Sequence, residues 1–172
     1  MLATRHEAWL TWINARPDAP GMMIAAMFRR ILVPVDASPA SAAGLRMAID
    51  LARDQKARLR LVHLGKHIPP ARRKREGMTV EELAEAMRKQ GRKLLERQAA
   101  LCRARGARAD TALYIGLAGH PAGLILAEAR KWRADLIVMG THGRRGLRRM
   151  VLRSDAEEVI RTAPVPVLLT RK

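Results

Sequence analysis

Short β-branched runs and amphipathic helical stretches take turns along this chain, and few folds accept that order. Residues 31–35 are a β-branched-rich run closed by Asp36-Ala37-Ser38-Pro39, where Ser38 is placed to cap a helix and Pro39 to begin it. Leu45, Ala48, Ile49 and Ala52 then recur at helical spacing. Residues 58–64 alternate Leu59, Leu61 and His63 against Arg60 and Val62, a second strand. Thr79-x-x-Glu82 is a capping box opening a long helix, with an apolar line through Leu83, Met87, Leu94 and Leu101 and a stop at Gly106. A third strand is expected near 108–115, and Gly119-His120-Pro121 turns into a helix bearing Leu124, Ile125 and Ala129. The fourth strand is 135–139. Ser154-Asp155-Ala156-Glu157 is a second capping box, opening a helix to about residue 162, and 165–170 is the last strand.

Strands alternating with helices predict an α/β fold, a mainly parallel doubly wound sheet with helices on both faces. Ligands in such folds sit at the carboxyl ends of the strands, where strand order reverses. Asp36 ends strand one and Gly140 ends strand four. In the order 3-2-1-4-5 these ends are neighbours and face one crevice. Gly140 and Gly143 follow the fourth strand, and Arg153-Ser154 precede a helix. Glycine amides and a helix start together make a cradle for phosphate, because no Cβ keeps an anion away. The plainer reading of a Gly-x-x-Gly pair is a turn.

With 172 residues and 48% hydrophobic content, one domain with a packed core is expected. No apolar run reaches the roughly 18–20 residues that span a bilayer, and Glu7 and the polar residues 14–18 interrupt any secretory signal. Residues 1–28 read as an N-terminal extension to a domain at 29–172. Trp9, Leu10, Trp12 and Ile13 suit a short docking helix, Pro17, Pro20 and Gly21 break it, and Met22, Met23 and Met27 each offer an alternative start. Cys102 is the lone cysteine, which suits a reducing cytoplasm, and its place in a helical pattern makes it a packing residue.

Charge is the unusual property. Lys+Arg 33 against Asp+Glu 16 leaves +17, and residues 1–28 balance, so the excess lies in 29–172. It is concentrated at residues 66–75 and 144–153. Such basicity attracts nucleic acid or acidic partners. The bland alternative is arginine on solvated helix faces. Aromatics at 3% leave little for stacking on single-stranded bases.

Several segments resemble the universal stress protein family: Ile31-Leu-Val-Pro-Val-Asp36-Ala-Ser38, Leu61-Val-His63-Leu64, Gly119-His-Pro121, Ala134-Asp-Leu-Ile-Val-Met-Gly-Thr-His-Gly143 and Ala163-Pro-Val-Pro-Val-Leu-Leu169. The resemblance covers about residues 30–171 and implies a Rossmann-like five-stranded parallel sheet in the order 3-2-1-4-5. It also implies a stress-response sensor or regulator, a homodimer through the last strand, and, in many members, ATP bound with Mg2+ without efficient catalysis. The ATP-binding pattern is Gly-x-x-Gly, nine residues, then Gly-Ser or Gly-Thr. Gly140, Gly143 and Ser154 match; Arg153 replaces the third glycine, and Asp155 replaces a small or apolar residue. Carried over, Asp36 beside Pro34 and Val35 would contact adenine and Leu64 would line its pocket. Met139 and Gly140 would lie against the nucleoside, and Gly143 and Ser154 would hold phosphates, with His142 in reach.

Arg153 cuts two ways. A positive φ there would exclude its side chain, whereas ordinary backbone would set a guanidinium beside the triphosphate. Asp155 repels phosphate while favouring the helix start. His6, His63, His67, His120 and His142 show no metal-ligand spacing with Cys102, and His63 reads as a core histidine. The Ser-Gly-Gly-x-Asp-Ser loop of related adenylating ATPases is lacking, so at most weak ATP hydrolysis is expected. The alternative function is a nucleotide-independent regulator whose basic surface takes an acidic protein or nucleic acid. The apolar last strand, Val165 to Thr170, is expected at a sheet edge, where unpaired backbone groups invite a second copy.

Overall fold

The computed structural model describes residues 27–65, 79–115, 120–140 and 155–170. In chain order these hold β1 (Arg30–Pro34), α1 (Pro39–Gln55), β2 (Arg58–Leu64), α2 (Val80–Ala104), β3 (Arg108–Tyr114), α3 (Pro121–Trp132), β4 (Leu136–Gly140), α4 (Asp155–Thr162) and β5 (Val167–Thr170). All four ladders are parallel, and the order is β3-β2-β1-β4-β5. The class expected from the alternation and the order implied by the resemblance both hold. The last strand begins at Val167 instead of 165. Pro166 has no N–H for a ladder, although its carbonyl accepts from the Ile137 amide at 3.0 Å.

Parallel strands are covered on both faces. Ile31, Val33, Leu59, Leu61, Leu136 and Val138 share one core with Leu45, Ala48 and Ile49 of α1 and Leu95 and Ala99 of α2. Leu32, Val62, Ile137 and Met139 pack on the other face with Ile125 and Ala129 of α3 and Val159 of α4. Each such aliphatic side chain stabilises the fold by about 1.5–3 kcal/mol relative to an exposed one. Val62 is fully buried, so β2 is two-sided rather than a strand with one wet face.

Two helix starts follow the expected chemistry, while Ser154 of the second capping box lies outside the described residues. Ser38 accepts from the Ser41 amide at 3.1 Å with Pro39 opening α1. Thr79 Oγ1 accepts from the Glu82 amide at 3.1 Å while Glu82 accepts from the Thr79 amide at 2.8 Å, which also lowers the Glu82 pKa. The seat of α2 differs from the expected line. Gly91, Leu95, Ala99 and Cys102 are buried, whereas Leu83, Met87, Leu94 and Leu101 are half-buried. Gly91 sets this: a Cβ there would stand 2.5 Å from Leu113 Cδ1 and 3.1 Å from His63 Cδ2. The helix settles on its small-residue line because only that line admits so close an approach.

Cys102 is the packing residue that its pattern suggested, fully buried. Burial pushes its thiol up to about 11, so at pH 8 about a thousandth is thiolate. Alkylation followed by mass spectrometry is expected to be slow in the native protein and rapid once urea unfolds it. Rapid native labelling would show that this face of α2 is not packed on the sheet.

Candidate functional site

The carboxyl ends of β1 and β4 are neighbours at the point where strand order reverses, with β2 on the other side of β1. Beyond β1, the Val35 amide donates to the Val62 carbonyl at 2.8 Å, and the Val35 carbonyl meets His63 Nδ1 at 2.7 Å. A tight turn follows. The Asp36 amide donates to Ser41 Oγ at 2.9 Å, and Asp36 Oδ1 accepts from the Ser38 amide at 2.8 Å. The half-buried Asp36 carboxylate is thereby fixed by its own turn. Among the described residues no donor meets its Oδ2.

On β2, Leu64 is half-buried and pairs in register with Tyr114 of β3. Pro34 is half-buried at the end of β1. Val35 and Met139 are 4% and 7% exposed and point into opposite cores, so they offer the crevice little beyond backbone. Gly140 ends β4 with a close neighbour: a Cβ built on it would stand 2.5 Å from the carbonyl carbon and oxygen of Ala40 and 2.8 Å from Ala40 Cβ. The first turn of α1 occupies that space. Gly44 makes a second approach one turn on, its absent Cβ lying 3.3 Å from the Gly140 amide. The glycine at 140 is therefore required by helix-on-sheet packing before any ligand is considered. His142, Gly143, Arg153 and Ser154 lie outside the described residues, as do the basic segments 66–75 and 144–153 and the side chain of Asp155.

Three polar contacts escaped the sequence reading. His63 is half-buried and ties the end of β2 to that of β1. His120 Nδ1 lies 3.0 Å from Glu158 Oε2, joining the start of α3 to α4. The third is internal: the Glu128 carboxylate, fully buried, accepts from Arg60 Nε at 2.8 Å and from the Tyr114 hydroxyl. That hydrogen bond, with burial and the carboxylate charge, pushes the Tyr114 phenol up to about 12. A signal existed, since Glu128 stands on the apolar line Leu124, Ile125 and Ala129, where a carboxylate needs a partner.

The strand reversal thus brings together a carboxylate fixed by its own turn and a glycine packed tightly against α1. Among the described residues no three or more of His, Cys, Asp and Glu are grouped to hold a metal, and no helix is long and apolar enough to cross a membrane.

A model of the universal stress protein family matches residues 27–171. Universal stress protein YxiE of Bacillus subtilis is 32% identical over 151 residues, covering 84% of this chain and 100% of the relative. A solved structure from the universal stress protein family of Burkholderia pseudomallei is 31% identical, with TM-score 0.68 over 84% of this chain and 96% of that one. The universal stress protein of Archaeoglobus fulgidus in complex with dAMP is 25% identical, with TM-score 0.59 over 83% and 98%.

Proposed function

By these matches the chain belongs to the universal stress protein family, and from that premise we propose that it is a stress-response sensor or regulator binding an adenine nucleotide, ATP with Mg2+, between the ends of β1 and β4. The observation that carries this reading is the Asp36 carboxylate, held at the strand reversal with Oδ2 free of described donors. Adenine presents an exocyclic amino donor and a flat apolar face. Asp36 Oδ2 would accept from the amino group, and Leu64 would wall the ring. The relative from Archaeoglobus fulgidus, similar in fold and sequence, is seen with dAMP. Gly143, Ser154 and Arg153 would hold the phosphates, and bound Mg2+ would offset their charge.

Titration with fluorescent ATP and Mg2+ tests this. Asp36→Asn keeps an oxygen for the Ser38 amide and removes the charge facing adenine. It is expected to weaken binding about tenfold or more, the scale of a hydrogen bond to a charged group. No binding by the parent at millimolar nucleotide would sink the reading. Arg153→Gly separates the two roles of that residue: tighter binding means its side chain obstructs, weaker binding means it clamps phosphate.

Domain boundaries and assembly complete the proposal. Residues 29–172 form the domain and 1–28 an extension, in a cytoplasmic protein whose lone thiol is kept reduced. β5 is a sheet edge, with Leu169 36% exposed and Val167 and Leu168 half-buried. A second copy would cover that edge in a two-fold dimer. The dimer is expected to tighten with added salt, which screens two basic chains. Light scattering should show a dimer that Leu169→Lys converts to monomer; an unaffected dimer would place the interface elsewhere.

A further inference from the structure

Every described strand starts, and every described helix ends, at the pole opposite the crevice. The connections are short: Gln55 to Arg58, Ala104 to Arg108, Trp132 to Leu136 and Thr162 to Val167. At this pole β1, β2 and β3 each begin with arginine, and the register aligns them, Arg30↔Arg58 and Arg58↔Arg108. Three guanidinium side chains thus leave neighbouring strands at one level, an arrangement that like-charge repulsion opposes. Strand formation asks for nothing of the kind.

The helix ends add more. Arg53 and Lys56 close α1, Arg103 and Arg105 close α2, and Arg130, Lys131 and Arg133 close α3, all exposed. Lys56 (φ 53) and Arg133 (φ 55) are left-handed, a conformation that glycine adopts without penalty and L side chains resist. The helix dipole favours cations at these ends, but it does not reach the strand-start arginines.

Local carboxylates do not neutralise the pole. With Arg29 and Arg161 it holds twelve Lys/Arg, ten of them Arg, against Asp54, Asp110 and Asp135. The remaining described residues hold seven Lys/Arg against ten Asp/Glu. Asp110 pairs with Arg58 at 2.8 Å. Asp135 accepts the backbone amides of Arg29 at 2.8 Å and Arg30 at 3.0 Å, so it is committed to fixing the start of β1. Arg30 donates to the Trp132 carbonyl at 2.9 Å and lies over its ring.

We propose that this pole docks the phosphate backbone of double-stranded nucleic acid, without reading bases. Arginine forks suit phosphate. The Arg30–Arg58–Arg108 row spans two strand spacings, about 10 Å, a length over which a duplex presents about six phosphate charges. Trp132 is half-buried under Arg30, so no described aromatic is offered for stacking on single strands. Met27 and Ile160 are the exposed large apolar side chains near it, too little to hold a bilayer. The surface is independent of the nucleotide crevice.

The test is anisotropy of a fluorescein-labelled 20-base-pair DNA duplex between 50 and 200 mM salt. The pole variant combines Lys56→Gly, Arg133→Gly, Arg103→Gln and Arg105→Gln. It is expected to raise Kd at least tenfold and to flatten the slope of log K against log salt by up to about 3.6, roughly 0.9 per lost phosphate contact. Its unfolding midpoint should not fall, because glycine suits both left-handed positions. A control of equal charge loss, Arg46, Lys89, Lys93 and Arg97 each changed to Gln, is expected to shift Kd by less than threefold. Equal weakening by the control, an unaffected pole variant, or no duplex binding by the parent would overturn the proposal. Displacement of duplex by ATP, or phosphatidylserine vesicles binding as tightly with the same dependence on the pole, would overturn it too. Failure of ATP titration alone leaves it standing.

Discussion

Gly140→Ala is expected to lower the unfolding midpoint by roughly 10 °C, equivalent to about 3 kcal/mol, although it adds one methyl group. The new Cβ would stand 2.5 Å from two backbone atoms of Ala40, and no rotamer change moves backbone. Adding Ala40→Gly removes only the 2.8 Å contact, so the double variant should stay destabilised. Gly123→Ala is the control. A Cβ there meets nothing within 4 Å, and alanine in a helix should be neutral or stabilising by up to about 1 kcal/mol. If the glycine at 140 existed only for a ligand, Gly140→Ala would keep its stability and lose nucleotide affinity. Thermal unfolding read beside ATP titration separates these cases.

Glu128→Ala should cost about 3–5 kcal/mol in urea unfolding, the range for removing one partner of a buried ion pair. The lower end is expected, because the Arg60 side chain is 22% exposed and can turn its guanidinium to water. Removing the whole set behaves differently. Arg60→Met with Glu128→Leu and Tyr114→Phe is expected to fall within about 1–2 kcal/mol of the parent, since no uncompensated charge remains. Alkali provides an independent check. The Tyr114 phenol is held up at about 12 against an ordinary value of 10. Its contribution to stability is complete below pH 10 and is lost as pH rises through 12. Ultraviolet titration should show one tyrosine, the single one in the chain, ionising near 12 in the native protein and near 10 in urea. A native midpoint near 10 would mean that the hydroxyl does not donate to Glu128.

What the sequence disclosed and what it concealed divide along contact range. Ser38-Pro39 and Thr79-x-x-Glu82 are readable because cap, first residue and partner lie within four positions and the chemistry is local. The fold class followed from the alternation, and the strand order from the family resemblance. The seat of α2 was missed because periodicity selects large residues, whereas Gly91 over Leu113 and His63 rewards small ones; that contact joins helix to sheet. The Arg60–Glu128 pair spans 68 positions; Glu128 on an apolar line asks for a partner, but nothing local to it names Arg60. Gly140 was marked as a ligand-cradle glycine, and its partner Ala40 is a residue with no signature. The turn at Asp36 was legible because a strand end and a helix cap coincide there.

The backbone contact between Ala40 and Gly140 also limits how the molecule can move. Two segments a hundred positions apart in sequence touch without a side chain between them, and Gly44 repeats the contact one turn along. The end of β4 and the entry to α1 therefore shift together or not at all. A wedge between these walls would have to lift a whole helix from the sheet. A ligand held at the strand reversal, as proposed above, would spend little of its affinity on ordering these two segments, and any signal of its binding would have to leave by some route other than their separation.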